Sequence, residues 1–214
     1  MSLFDSMSEM IPSITGEMIL DADIDTLKSD IKYYIGTVRN NRLKSLCYDV
    51  IENEPLFWTI PASATHNRMV GGLAKHTLET IIYANSFYST CLSKEILSKD
   101  LLIAGALIHD IGKVRLVGEK ITVANHIMKG IEVIGGMLTK YDFTQKERMQ
   151  ILGVIESHHS RFDLDTGVKF TTLEAYLVSV ADKYSALFSI TAEQAREGKP
   201  FKFYYQTKLE KSVF

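Results

Sequence analysis

Residues 101–110 read LLIAGALIHD, eight apolar residues in a row followed by a histidine and an aspartate. A helix that is apolar all round has no solvent face and belongs in the middle of a bundle. The stretch therefore predicts a central buried helix whose polar end, His109-Asp110, opens onto something internal. Burying an ionised carboxylate alone costs several kcal/mol unless it is paired or holds a metal. A cation is expected beside Asp110. Taken in isolation, the pair also has a bland account: Asp110 caps the next segment with Lys113 as its salt-bridge partner, and His109 is a satisfied core histidine.

Outward from this stretch the chain reads as helices. Ile24, Leu27, Ile31, Tyr34 and Ile35, then Leu43, Leu46, Val50 and Ile51, recur at spacings of three and four and predict two amphipathic helices joined near Asn40-Asn41. Phe57, Trp58, Ile60 and Pro61 lead into a loop carrying His66. Gly71-Gly72 punctuates the chain before a helix from about Leu73 to Ser93, with His76 in its first turn. Gly112 ends the central helix, and 114–122, with Gly118 between β-branched patches, predicts either a small hairpin or an irregular loop. Asn125 reads as the cap of a helix to about Leu138, Thr144 as the cap of one to about Ser157, and Thr171 or Thr172 as the cap of a third through at least Ser189. In that third helix Leu173, Leu177, Val180, Tyr184 and Leu187 form the expected core stripe, and Met128, Met137 and Tyr176 also read as core. With no repeat or linker, the economical reading is one all-α helical bundle over 21–195, with at most a small hairpin, an N-terminal arm over 1–20 and a basic, aromatic tail over 196–214.

Composition agrees and narrows the function classes. A chain of 214 residues suits one domain. Apolar residues at 46%, charged residues at 23% and only four prolines exclude a disordered or collagen-like chain. A formal net charge of -2 gives no basic footprint for tight nonspecific nucleic-acid binding, while leaving room for a transient nucleic-acid substrate. Cys47 and Cys91 are too few for a disulfide framework or a cysteine zinc site. The longest apolar run falls well short of the ~20 residues of a membrane span, and the N-terminus lacks a signal-peptide pattern. A cytoplasmic protein with no membrane partner is expected.

All six histidines fall between His66 and His159. His158-His159 stand together at a helix end, an odd choice for packing but suited to presenting two ligands. Asp182 offers a carboxylate from a predicted core helix, and His126 follows a predicted cap, beside Lys129 and Gly130. With His76, His109 and Asp110 these supply five histidines and two carboxylates from five segments, more than one metal takes. Imidazole plus carboxylate without thiolate suits manganese, iron, nickel or zinc in a hydrolytic site. A dinuclear centre is the natural arrangement.

This constellation resembles the HD-domain metal-dependent phosphohydrolases: His76 in GGLAKHTLET, His109-Asp110 in AGALIHDIGKV, His126 in ANHIMKGIEVI, His158-His159 in ESHHS and Asp182 in VADKYSAL match that family's order. Within it, the text is most similar to the HD domain of the YhaM-type bacterial 3′-to-5′ exoribonucleases, as IPASATH, GGLAKHTLE and TTLEAYLVSVAD illustrate. Those enzymes carry an N-terminal OB-fold domain and a Gly after the double His. Here the first 60 residues read as helices, and Ser160 and Arg161 follow. The GYP element of the HD-GYP cyclic-dinucleotide phosphodiesterases is absent from HSRFDLDTG. The resemblance implies two divalent ions, manganese first, with iron, nickel, zinc or magnesium as alternatives. One ion falls to His76, His109, Asp110 and Asp182, the other to Asp110, His126, His158 and His159, with Asp110 bridging. It further implies hydrolysis of phosphoester bonds in nucleotides or at 3′ ends of short single-stranded nucleic acid, with Lys113, Lys129 and Arg161 meeting phosphate and His66 touching substrate or protonating the leaving group. The alternatives are a small-nucleotide phosphomonoesterase or cyclic-nucleotide phosphodiesterase, and a noncatalytic HD regulatory module.

Overall fold

The computed structural model describes residues 23–160, 170–196 and 198. The N-terminal arm, Arg161 and most of the tail lie outside the described residues. Within them the chain forms seven α-helices and three short 3-10 helices, and no strand. The α-helices are α1 (Ile24–Thr37), α2 (Asn41–Asn53), α3 (Gly72–Thr90), α4 (Lys99–Ile108), α5 (Val123–Leu138), α6 (Gln145–Ser157) and α7 (Leu173–Arg196).

Helix α4 is the axle of the bundle. All of Leu101 to Ile108 is buried, and the helix packs against α1, α2, α3, α6 and α7. Each fully buried Leu or Ile contributes about 1.5–3 kcal/mol, so this one helix anchors much of the core. Ser98 starts it, accepting from Leu101 N at 3.2 Å. Asp100, in its first turn, accepts from the backbone N–H groups of Arg39 and Asn40 and so ties the α1–α2 turn to it. No described helix is long and apolar enough to cross a membrane.

Several sequence expectations are corrected in detail. Helix α4 stops at Ile108 with His109 as its cap, and Gly112 lies inside a following 3-10 turn, Ile111–Arg115. The segment after that turn is irregular, so no hairpin forms. Thr122, not Asn125, caps α5. Its hydroxyl accepts from Asn125 N while the Asn125 side chain accepts from Thr122 N, a reciprocal capping box that places Asn125 at the third helical position. Thr144 and Glu147 make the same motif at α6, and Thr172 accepts from Ala175 N at the start of α7. Because α3 begins at Gly72, His76 lies in its second turn. In α7 the buried face is Ala175, Val178, Ala181, Asp182, Ser185 and Ser189, whereas Leu173 and Tyr184 are exposed. The apolar spacing misled because α7 lies between α3, α4 and α6, where small and polar side chains allow close approach. Met128, expected in the core, is 66% exposed.

Two close contacts fix the course of the chain beyond Asp110. A Cβ on Gly112 would lie 1.9 Å from His126 O and 2.4 Å from Gly130 N, so glycine lets the 3-10 turn lie directly on α5. Arg115, from the end of the turn, makes a two-pronged ion pair with the buried Glu54. Together these press the turn onto the helix that carries His126. Gly112→Ala should therefore destabilise the fold by about 3 kcal/mol, read as a melting midpoint roughly 6–12 °C lower. An unchanged midpoint would contradict this packing.

Candidate metal centre

Five elements deliver seven side chains to one place. His109 caps the C-terminus of α4 and Asp110 follows it, His158 caps α6 with His159 next, His126 lies in the first turn of α5, His76 in the second turn of α3, and Asp182 in the middle of α7. His76, His109 and His158 have no exposed surface, and Asp110, His126 and Asp182 are buried.

Asp110 divides the cluster in two. Its Oδ2 lies 3.5 Å from His76 Nε2 and 3.5 Å from His109 Nε2. Its Oδ1 lies 3.4 Å from His126 Nε2 and 3.5 Å from His158 Nε2. Asp182 joins the first group, with Oδ1 3.1 Å from His76 Nε2 and 3.8 Å from His109 Nε2. His159 joins the second, its Nε2 3.1 Å from that of His126.

The second nitrogen of each ring shows what these contacts are. Nδ1 of His109 faces Ala106 O at 2.8 Å, Nδ1 of His126 faces Thr122 O at 2.6 Å, and Nδ1 of His158 faces Ile155 O at 2.7 Å. A carbonyl oxygen only accepts, so each Nδ1 carries the proton and each neutral ring presents a bare lone pair at Nε2. His126 and His158 nevertheless bring their Nε2 atoms to 3.2 Å, a distance at which two lone pairs repel unless a cation lies between them. His76 and His109 approach Nε2 to Nε2 at 3.3 Å in the other group. Asp110 Oδ1, fully buried, has no hydrogen-bond donor at all. Converging lone pairs and an orphaned carboxylate oxygen fit divalent ions held by nitrogen and oxygen donors.

The electrostatics favour the same occupant. Burial, reinforced by the neighbouring imidazoles, lowers His109 from its ordinary 6.5 to about 3 and His159 to about 4, against the pull of Asp110 and Asp182. Burial likewise lowers His126. For Asp110 burial opposes ionisation, but Lys113, His109 and His158 outweigh it and hold the carboxyl well below the usual range. For Asp182 burial again opposes ionisation, and its imidazole neighbours His76 and His109 outweigh it and lower the carboxyl. His109, His126 and His159 are thus biased toward the neutral ring and Asp110 and Asp182 toward the carboxylate, the states that bind metal.

The other sequence candidates take distinct places. Lys113, buried, sits with Nζ 2.5 Å from Asp110 Oδ2, beside the first group. His66 packs its ring 5.0 Å from that of His76. Its Nδ1 meets Ser63 Oγ at 2.8 Å, its Nε2 is buried without a partner, and burial followed by His76 and Lys113 lowers it to about 4. Lys129 instead pairs with Glu132 on the surface at 2.8 Å. Sequence reading missed the supporting residues: Ser185 at 2.8 Å from His76 Nδ1, Ser179 donating to His158 O at 2.6 Å, and Lys183 donating to Ser160 O at 2.9 Å. A signal for them existed in the serines spaced along α7 beside Asp182, on a face that an ordinary core helix would fill with apolar residues.

Unfolded, each of these rings takes up a proton near pH 6.5, while in the fold His109, His66 and His159 do so only near 3–4. Their contribution to stability is full above about pH 6.5 and is lost as the pH falls toward 3–4. Thermal melts of chelator-treated protein should show the midpoint falling steadily below pH 6.5, and a flat profile down to pH 4.5 would contradict the burial of neutral rings.

No solved structure matches this chain. A family model described as the HD domain matches residues 73–187, from the first turn of α3 into α7, and this span contains all seven clustered side chains. With more than half of its length matched, and with the His-Asp pair at the end of its central helix, the chain belongs to the HD domain family, which is typical of metal-dependent hydrolases.

Proposed function

We propose that this protein is a metal-dependent phosphohydrolase that hydrolyses phosphoester bonds of nucleotides or of the 3′ ends of short single-stranded nucleic acid. One observation carries the reading: the two oxygens of Asp110 face two separate sets of imidazole lone pairs. His76, His109, Asp110 and Asp182 would hold one divalent ion and Asp110, His126, His158 and His159 the other, with manganese the first candidate. When bound, such a pair would supply a water acidic enough to attack phosphorus near neutral pH and charge to offset that on the phosphate.

The chain's own residues supply the rest. Lys113 Nζ, beside Asp110 Oδ2, is placed to neutralise phosphate oxygens that approach the first group. His66 keeps a neutral ring with an unpartnered Nε2 next to His76. That position suits contact with substrate, and the neutral ring could serve a leaving oxygen as a general acid only after taking up a proton itself. Arg161 and Lys129 are assigned to more distant phosphates on the resemblance alone. The intact donor set supports a catalyst over a noncatalytic module, since a degenerate site has no reason to keep two pairs of facing lone pairs.

Metal analysis of the purified protein should approach two ions per chain, and Asp110→Ala should lose both. A folded chain that holds no metal would sink the reading. In a panel of a chromogenic phosphodiester, a chromogenic phosphomonoester, nucleotides and labelled oligonucleotides, each with Mn²⁺ and with chelator, at least one should be hydrolysed only with the ion. Lys113→Ala should slow that hydrolysis by about 100- to 1000-fold and Asp110→Ala should abolish it. Full activity of Asp110→Ala would place the chemistry elsewhere.

A further inference from the structure

His109, His126 and His158 each have their proton fixed on Nδ1 by a backbone carbonyl three or four residues earlier, an acceptor that no substitution removes. His76 differs. Its Nδ1 meets a side chain, Ser185 Oγ, at 2.8 Å. A serine hydroxyl can donate or accept, so by itself it does not say which nitrogen of His76 is protonated. Glu79 removes that freedom. Its Oε2 lies 2.6 Å from Ser185 Oγ, and because a carboxylate only accepts, Ser185 directs its one proton to Glu79. Toward His76 the serine oxygen is then an acceptor, Nδ1 carries the proton, and Nε2 is left bare toward Asp182 and Asp110.

Glu79 is itself held in place. The same Oε2 accepts from Asn67 Nδ2 at 3.1 Å, and Asn67 Oδ1 accepts from Ser189 Oγ at 3.2 Å. All of these side chains are buried. Asn67 has a φ of 46°, the left-handed region, which asparagine tolerates better than most residues. Its carbonyl accepts from Ala62 N at 3.0 Å and comes so near Gly72 that a Cβ there would lie 1.9 Å away. The result is two runs of donors that converge on Glu79, from Ser189 through Asn67 on one side and from His76 through Ser185 on the other, with Glu79 the carboxylate that accepts from both.

We propose, resting on the metal reading of this site, that Glu79 is a positioning residue for His76, acting through Ser185 to fix its tautomer and to strengthen Nε2 as a donor to the ion shared with His109, Asp110 and Asp182. Support from behind a ligand of this kind is worth roughly 10- to 100-fold in metal affinity.

The test is a Mn²⁺ titration of the full chain, first stripped with chelator. The wild type should take up two ions. Glu79→Gln and Ser185→Ala should each weaken one of the two by roughly 10- to 100-fold and leave the other within about threefold, and Ser185→Thr, which keeps the hydroxyl, should restore it. The double variant Glu79→Gln/Ser185→Ala should be no worse than the worse single one, because both break the same chain. ¹⁵N-histidine spectra of the chelator-treated protein give a second readout: His76 should be the Nδ1–H tautomer in the wild type and a mixture in Ser185→Ala. Should Glu79→Gln fail to fold, Ser185→Ala and these spectra still decide the matter. Folded variants that bind both ions like the wild type, an equal loss at both sites, losses that multiply, or an unchanged His76 tautomer would each overturn the proposal. A wild type that binds no Mn²⁺ would overturn the metal reading, while the tautomer spectra would still judge the Glu79–Ser185–His76 relay.

Discussion

Everything in this protein is arranged around the requirement that a carboxylate at the end of a wholly apolar helix be given cationic company. Asp110 cannot turn to water, since α4 lies at the centre of the bundle. It is met on one oxygen by Lys113 and by two imidazoles, and on the other by two imidazoles alone. Left unpaired, such a group would cost more than most single interactions in a domain contribute. The turn beyond it, with Gly112 against α5 and Arg115 on Glu54, fixes the carboxylate's direction.

The histidines obey a second constraint, that each ring be told which nitrogen to turn toward Asp110. Helix ends provide this cheaply. The last carbonyls of a helix have no partner within it, and at the ends of α4 and α6 they accept from Nδ1 of His109 and His158. Placing histidines at helix C-caps therefore satisfies orphan acceptors and sets tautomers with the same bonds. Helix α7 obeys a different logic. It carries Asp182 in mid-helix, and its neighbouring serines Ser179, Ser185 and Ser189 face inward to bind His158 O, Glu79 and Asn67.

This division explains what could be read from the sequence and what could not. The buried helix was legible because eight apolar residues in a row admit one environment. The cluster was legible because His109-Asp110 and His158-His159 make poor packing residues and recur in a known order. The buried face of α7 was not, because a periodicity rule counts leucine and tyrosine as core and serine as surface. Here Leu173 and Tyr184 face out and Ser185 is buried. Glu79 escaped notice for a similar reason: on an amphipathic pattern a glutamate three residues after His76 reads as solvated, and only the contact between α3 and α7 makes it internal. Lys129, one turn beyond His126, pairs with Glu132 on the surface, a contact its place in the sequence does not reveal.

The chain's charge takes on a different meaning once the site is built. A formal net charge of -2 assumes neutral histidines, and burial makes that assumption a property of His109, His126 and His159. Neutral rings and ionised carboxylates leave the cluster an anionic pocket, with Lys113 its one cationic neighbour among the described pairings. Two divalent ions would change the total from -2 to +2, and all of the change would fall within one cluster. A surface with little attraction for phosphate would then surround a centre with a strong one. The local field, set by the ions and by Lys113, would govern phosphate binding, and the overall charge would say little about it.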